Sequence, residues 1–328
     1  MRGLMVCGEF PDIRSGRVTL ALKNHGIKHG VTTLRYPPQM EDVYDFIDWN
    51  HCDTASGVID RALSHECDIY HVHGELQQFW PVVKLKDHSE KPVILNVHDL
   101  ASARPRSVLD RYEAEALEAA DAHVWVTEEQ REFARNMGLC VDKPHCIVPN
   151  YVSSRYFIDK PVLPHIGGVV VHGGIDKRGE GSNSLDYSPV SDLLGGKLHL
   201  ISGSNEPDYG IIHPTEIDYG ILIHRLTQFD WGFCGTTNPD AVWQQALPTK
   251  VGEYFAAGMP VIALNCPPVK PFCDLGMGIY LTDPRDLPRA AATDPKPFRK
   301  AVLANRARFT TERAIEPLAA LYGALTSC

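Results

Sequence analysis

No apolar run in the 328-residue sequence approaches the ~20 residues that a membrane-spanning helix needs, so a soluble globular chain is expected. Positive charge is also scarce. Lys and Arg total 32 against 41 Asp and Glu, for a net charge of −9, which argues against a protein dominated by binding of a nucleic-acid backbone. Cys-x-x-Cys pairs are absent among the nine cysteines. An odd number of scattered cysteines reads as reduced thiols rather than a disulfide framework. Cys266 and Cys273 have no histidine spacing beside them that would suggest structural zinc. The N-terminal Met1 to Cys7 passes into a strand too early for a signal peptide, so a cytoplasmic location is expected. The loop after that strand lacks the Gly-x-Gly-x-x-Gly spacing of a dinucleotide fingerprint.

Apolar strands alternating with helical stretches are what the sequence has instead. Gly3–Cys7, Val31–Tyr36, Cys67–Gly74, Pro92–Val97 and Ala122–Val126 read as strands. Between them lie helical patterns at Arg17–His25, Ala55–Ser64 and Ser107–Ala120, with Glu128–Met137 following. Glu113, Glu115 and Glu118 are expected on a solvated face, and Lys84 and Lys86 in a loop. A polar, proline-bearing stretch at Ser154–Pro164 suggests a domain boundary. The pattern resumes with Gly168–Gly174, Leu198–Ser202, Phe229–Phe233 and Val261–Leu264. A Pro/Ala-rich connector then spans Asp283–Phe298, and a helical tail covers Arg299–Thr326, with Leu318, Leu321, Tyr322 and Leu325 at core spacing. Such alternation is the signature of α/β units built on parallel sheets, and the length suits two domains.

The most informative stretch is Ala246–Leu264. Pro248 is suited to the first turn of a helix. Gly258 can take the left-handed conformation that ends it, and Pro260 prevents its continuation. Lys250 and Glu253 fall three apart, on one face, near an N-terminus where backbone N–H groups favour an anion. A lysine, a carboxylate and helix amides together can grip a nucleotide diphosphate. Elsewhere, His71 and His73 share one face of a strand, and His98 and Asp99 end the next. A metal site from these four would make the chain a metal-dependent hydrolase, but no further carboxylate ligand is identifiable. Histidines bonded within the core are the plainer expectation.

The string Pro248-x-Lys250-x-x-Glu253-Tyr254, continuing to Gly258-x-Pro260-Val261-Ile262, closely resembles the nucleotide-sugar motif of GT-B glycosyltransferases of the group-1, family-4-like set. Other pieces resemble the same family in the same order. They are the strand leading to His98-Asp99, the Ala120-Asp121 strand ending in Thr127-Glu128, and the Val148-Pro149-Asn150 string followed by Phe157. The resemblance implies an α/β chain of two Rossmann-like domains facing each other across a cleft. An acceptor-binding domain would cover residues 1–157 and a donor-binding domain 158–305, and a C-terminal helix at 306–328 would return to the first domain.

It also implies sugar transfer from a nucleotide-sugar, UDP- or GDP-linked, to an acceptor hydroxyl, without a metal or other cofactor and with retention of configuration. Lys250 would hold the diphosphate, Glu253 the ribose hydroxyls, and His98 would lie beside the transferred sugar. Gly8, Gly16, Gly173, Gly174, Lys177, Arg178, Ser202, Gly203, Gln245 and Thr249 are the other candidates around the donor. Three positions depart from the family: Tyr151 follows Asn150 in place of the usual glycine, and two lie around the donor. Gly174 stands where relatives carry a diphosphate-binding arginine, leaving Lys177 or Arg178 to compensate. Gln245 stands where relatives carry the first of two glutamates, keeping hydrogen-bonding capacity without charge. The two around the donor keep open a nucleotide-sugar-binding protein with little or no transferase activity, and the fold also accommodates a nucleotide-sugar epimerase. The acceptor is open between a glycan, a small molecule, a protein and a modified nucleic-acid base.

Overall fold

The computed structural model describes residues 1–7, 13–34, 40–48, 55–75, 79–103, 111–175, 177–178, 185–202, 207–213, 218–237 and 244–327. The chain forms two compact units. One comprises Met1–Ala103, Ser107–Pro149 and Thr311–Cys328, and the other includes Asn150–Thr310. The segment after Pro149 joins the second unit for local reasons: Asn150 Nδ2 donates to the Leu247 carbonyl at 2.7 Å, and the Ile158 N–H donates to the Ala256 carbonyl at 2.9 Å. No helix among the described residues is long and apolar enough to cross a membrane.

The first unit is built on β1 (Arg2–Cys7), β2 (Lys28–Thr33), β3 (Ile47–Asp48), β4 (Ile69–Glu75), β5 (Val93–Asp99), β6 (Ala122–Trp125) and β7 (His145–Ile147). They lie in the order β3-β2-β1-β4-β5-β6-β7, with every pairing parallel. The second unit repeats the plan with β8 (Val169–Gly173), β9 (Leu198–Ser202), β10 (Ile211–His213), β11 (Trp231–Gly235), β12 (Val261–Leu264) and β13 (Gly278–Leu281), ordered β10-β9-β8-β11-β12-β13. Sheets of this kind are covered on both faces, which is why strands such as Val169-Val170-Val171 and Val261-Ile262-Ala263-Leu264 are continuously apolar and buried. Each order reverses once, between β1 and β4 in the first unit and between β8 and β11 in the second. In open α/β sheets ligands bind at the carboxyl ends of strands at such a switch point.

The helices of the first unit are α1 (Ile13–Lys23), α2 (Ala55–Ser64), α3 (Trp80–His88), α4 (Arg111–Ala119) and α5 (Glu128–Asn136). Those of the second include α6 (Ser188–Leu193), α7 (Tyr219–Leu226), α8 (Thr249–Ala256), α9 (Lys270–Asp274), α10 (Leu287–Ala291) and α11 (Lys296–Asn305). Short α12 (Thr311–Ala314) and then α13 (Glu316–Thr326) return to the first. Several local expectations are corrected. The first helix begins at Ile13 rather than Arg17. Lys84 and Lys86 lie on α3, not in a loop, because Pro81 sits in its first turn, where a missing N–H does no harm. The tail from Arg299 is three helices rather than one, and the Asp283–Phe298 connector contains α10.

α13 is fastened to the sheet by its one buried phenol. Tyr322 Oη lies 2.9 Å from His29 Nε2 on β2 and 2.7 Å from His71 Nδ1 on β4. Burial pushes the His29 pKa down to about 3 and His71 well below its usual value, and nearby His73, His29 and Arg14 push His71 in the same direction. Both rings are therefore neutral at physiological pH, and the hydroxyl donates to one and accepts from the other. Tyr322→Phe removes the partner of two buried ring nitrogens at once, an expected loss of roughly 2–4 kcal/mol. Faster amide hydrogen exchange along β2 and β4 would report it, and unchanged protection there would refute it.

Candidate functional site

In the second unit the site grows from α8. Pro248 takes extended backbone angles as the N-cap, one position earlier than the first-turn placement expected, and no side chain caps the helix. Gly258 has φ +70° just past the other end, with its N–H donating to the Phe255 carbonyl, so the chain reverses directly into β12. Tyr254 ties α8 to the sheet. Its hydroxyl donates to the Phe233 carbonyl at 3.0 Å, and a Cβ at Gly232 would fall 2.3 Å from its ring. Glycine at 232 is therefore what lets the helix lie this close to β11.

That docking sets Lys250 and Glu253 facing different partners. Lys250 Nζ donates to Tyr187 Oη at 3.0 Å and stands 5.2 Å from the centre of its ring. Burial works against the ammonium. The Tyr187 phenol beside it outweighs that, with smaller help from Cys234 and Glu253, and the Lys250 pKa ends above its ordinary value. Lys250 is thus a fixed cation at neutral pH. One turn on, Glu253 Oε2 lies 2.8 Å from His172 Nε2, both side chains almost wholly buried. His172 is the residue of β8 immediately before Gly173, so the carboxylate lies at the carboxyl end of the switch-point strand. Gly173 has φ +107° and is exposed, with open space where a Cβ would be. Gly174 is exposed too, with only Leu185 near. The backbone there is accessible to a ligand.

The other candidates around the donor divide. Thr249 opens α8, Gln245 is buried just before it, and Ser202 ends β9. Lys177 is exposed after β8. Arg178 pairs with Asp192 through two bonds of 2.8 and 3.0 Å, with both side chains exposed. Gly8 and Gly203 lie outside the described residues. Gly16, expected just before the first helix, lies inside it. It is buried inside α1, where a Cβ would meet that of Met40 at 2.8 Å, so close packing accounts for it.

In the first unit His98 lies near the end of β5, at the carboxyl edge of the sheet, and is buried. Its Nε2 is 3.0 Å from His73 Nδ1 on β4. Gln130 Nε2 donates to the His98 carbonyl at 2.7 Å, and the Gln130 backbone N–H donates at 3.0 Å to Oγ1 of Thr127, the N-cap of α5. The loop after β5 is shaped by Glu113, expected to be solvated but almost fully buried. It accepts from the N–H of Ala101 at 2.6 Å and of Ser102 at 3.2 Å. Arg14 of α1 bonds Asn96 Oδ1 and the Val148 carbonyl. Tyr187, His172, Gln130 and Glu113 were not nominated from sequence, and His73 was weighed there only as a metal ligand. Only the two histidines carried a visible signal, each toward the carboxyl end of an apolar strand.

No protein-family model matches the chain, and no curated protein sequence matches it. Solved structures do. Sucrose-phosphate synthase from Thermosynechococcus elongatus is similar over 100% of both chains, with a TM-score of 0.73 and 14% identity. HepE from Anabaena, in complex with UDP-glucose, is similar over 100% of both chains, with a TM-score of 0.68 and 12% identity. A Listeria monocytogenes protein provisionally described as a UDP-N-acetylglucosamine 2-epimerase is similar over 99% of this chain and 97% of that one, with a TM-score of 0.56 and 14% identity. Together with the two parallel sheets, these likenesses show the fold that the sequence motifs imply.

Proposed function

We propose, from the premise that this chain has the GT-B fold, that it is a glycosyltransferase moving a sugar from a nucleotide-sugar to an acceptor hydroxyl. The carrying observation is the pairing on α8: a fixed ammonium, Lys250, one turn from a buried carboxylate, Glu253, at the switch point of the second unit. Glu253 accepts from the ribose hydroxyls, and His172 lies beside that carboxylate. Lys250 and the uncapped amides of α8, Thr249 among them, neutralise the diphosphate as the bond from the anomeric carbon to it breaks. Charge stabilisation of this fixed kind is commonly the largest contribution to catalysis. The Gly173–Gly174 backbone approaches the phosphates where relatives use arginine. The bond to the acceptor oxygen forms as the hydroxyl proton leaves, His98 hydrogen-bonding the transferred sugar. The second unit takes the donor and the first the acceptor. Retention of configuration and metal independence belong to the same proposal, and so does the division of the chain into these two roles near residue 157.

Nucleotide release and product formation across UDP-, GDP-, ADP-, dTDP- and CMP-sugars test this, beginning with UDP-glucose because HepE binds it. Selective release with a new glycoside supports transfer and names the donor. An isomerised sugar would move the chain to the epimerase class, which the Listeria likeness keeps in play. Gln245 in place of the first glutamate favours a second outcome, saturable binding without turnover. Absence of binding by every nucleotide would sink the donor site itself.

A further inference from the structure

The hydrogen bond between His73 and His98 has a chemical consequence for the reading of His98 above, on which the following rests. A neutral imidazole carries one N–H, and the bond made by one ring nitrogen decides which of the two holds it. If His98 is to give a hydrogen bond to a sugar oxygen from Nδ1, its Nε2 must be bare and must accept. The atom that faces Nε2, at 3.0 Å, is His73 Nδ1.

We infer that His73 is the positioning residue of His98: its Nδ1–H donates to His98 Nε2 and so keeps the His98 proton on Nδ1, the nitrogen that serves the sugar. Free imidazole side chains prefer the opposite tautomer, with the proton on Nε2, so the partner has an effect to exert. The surrounding residues hold His73 in the required plane. Its ring stacks on His71, with centroids 4.9 Å apart and planes 18° from parallel, and meets His98 edge-on at 5.0 Å and 83°. His71 is in turn fixed by Tyr322 and kept neutral by burial, so the stack carries no charge repulsion. Gln130 anchors the His98 backbone independently, through its carbonyl. Ring and backbone are therefore set by different elements, β4 and α5.

Long-range proton–nitrogen correlation spectra of the full chain, labelled with 15N-histidine, read the tautomer directly, with His98→Gln assigning the signals. The expected wild-type spectrum has His98 protonated at Nδ1 and bare at Nε2. In His73→Leu the His98 signals should move toward the Nε2–H tautomer. In His73→Asn, whose carboxamide N–H can stand near the place of Nδ1, the wild-type tautomer should persist. With a donor in hand, His73→Leu should lower kcat by roughly tenfold or more with little change in KM, and His73→Asn should recover most of it. A wild-type His98 protonated at Nε2, or a tautomer that survives His73→Leu, overturns the assignment. The wild-type spectrum alone decides if His73→Leu fails to fold. No substrate enters the tautomer measurement, so failure to transfer sugar would refute the proposed function and leave this result standing.

Discussion

Lys250→Ala is expected to reduce kcat/KM for the nucleotide-sugar by about 10²–10³-fold, the range found when one fixed donor to developing negative charge is removed. The size follows from where the ammonium is kept. A surface lysine is solvated and mobile, and its removal would change little. Lys250 is half-buried at the start of α8, held by the Tyr187 hydroxyl, and its pKa lies above the ordinary lysine value. It is charged before the donor arrives and needs little reorganisation when charge builds on the leaving diphosphate. Arginine at 174 would soften the loss, but 174 is glycine. Tyr187→Phe separates position from charge: it leaves the ammonium but frees it to move, so it should weaken turnover less than Lys250→Ala. Steady-state nucleotide release against donor concentration, with calorimetry of the nucleoside diphosphate, measures both. Turnover in Lys250→Ala within a few-fold of wild type would remove Lys250 from the site.

How much of this was legible in the sequence depends on the range of the interactions involved. α8 was legible because its punctuation is local: a proline before it, and a glycine and a proline after it. Pro248 before it and Gly258 and Pro260 after it bracket the observed Thr249–Ala256. The alternation of strands fixed the α/β class for the same reason. Gly16 was misplaced because what requires a glycine there is Met40, a contact 24 positions away that no local pattern announces. Glu113 has the spacing of a solvated helix face, and only the fold brings two loop amides to it. The three-residue strand β10 carries too few residues for a period to register. His71 and His73 could be placed on one face by counting, but their partners, Tyr322 and His98, come from 251 and 25 residues away. The diphosphate site reads well for what lies on α8 and poorly for what lies opposite it.

Gly235→Ala should destabilise the second unit by roughly 4 kcal/mol or more, an effect large for a single methyl group and therefore diagnostic. Gly235 ends β11 with φ +107°, and a Cβ there would lie 1.9 Å from the Leu264 carbonyl oxygen and 2.8 Å from its carbon. The obstacle is backbone, not a side chain that could swing aside. Leu264 cannot retreat, because β12 is hydrogen-bonded to β11 on one side and to β13 on the other, and its carbonyl accepts from the Thr236 N–H at 3.2 Å. Gly173 supplies the matched comparison. It ends β8 with the same φ of +107°, yet nothing lies within 4 Å of its Cβ position. Gly173→Ala therefore bears only the backbone strain, about 1–2 kcal/mol, and should fold. Denaturant unfolding of the two variants side by side separates strain from collision, and equal midpoints would show that β11 and β12 are not this close. The folded variant also probes the site. If phosphates approach the β8 terminus as proposed, the methyl group at 173 should weaken nucleotide binding while leaving the unit intact. Unchanged affinity would place the diphosphate elsewhere.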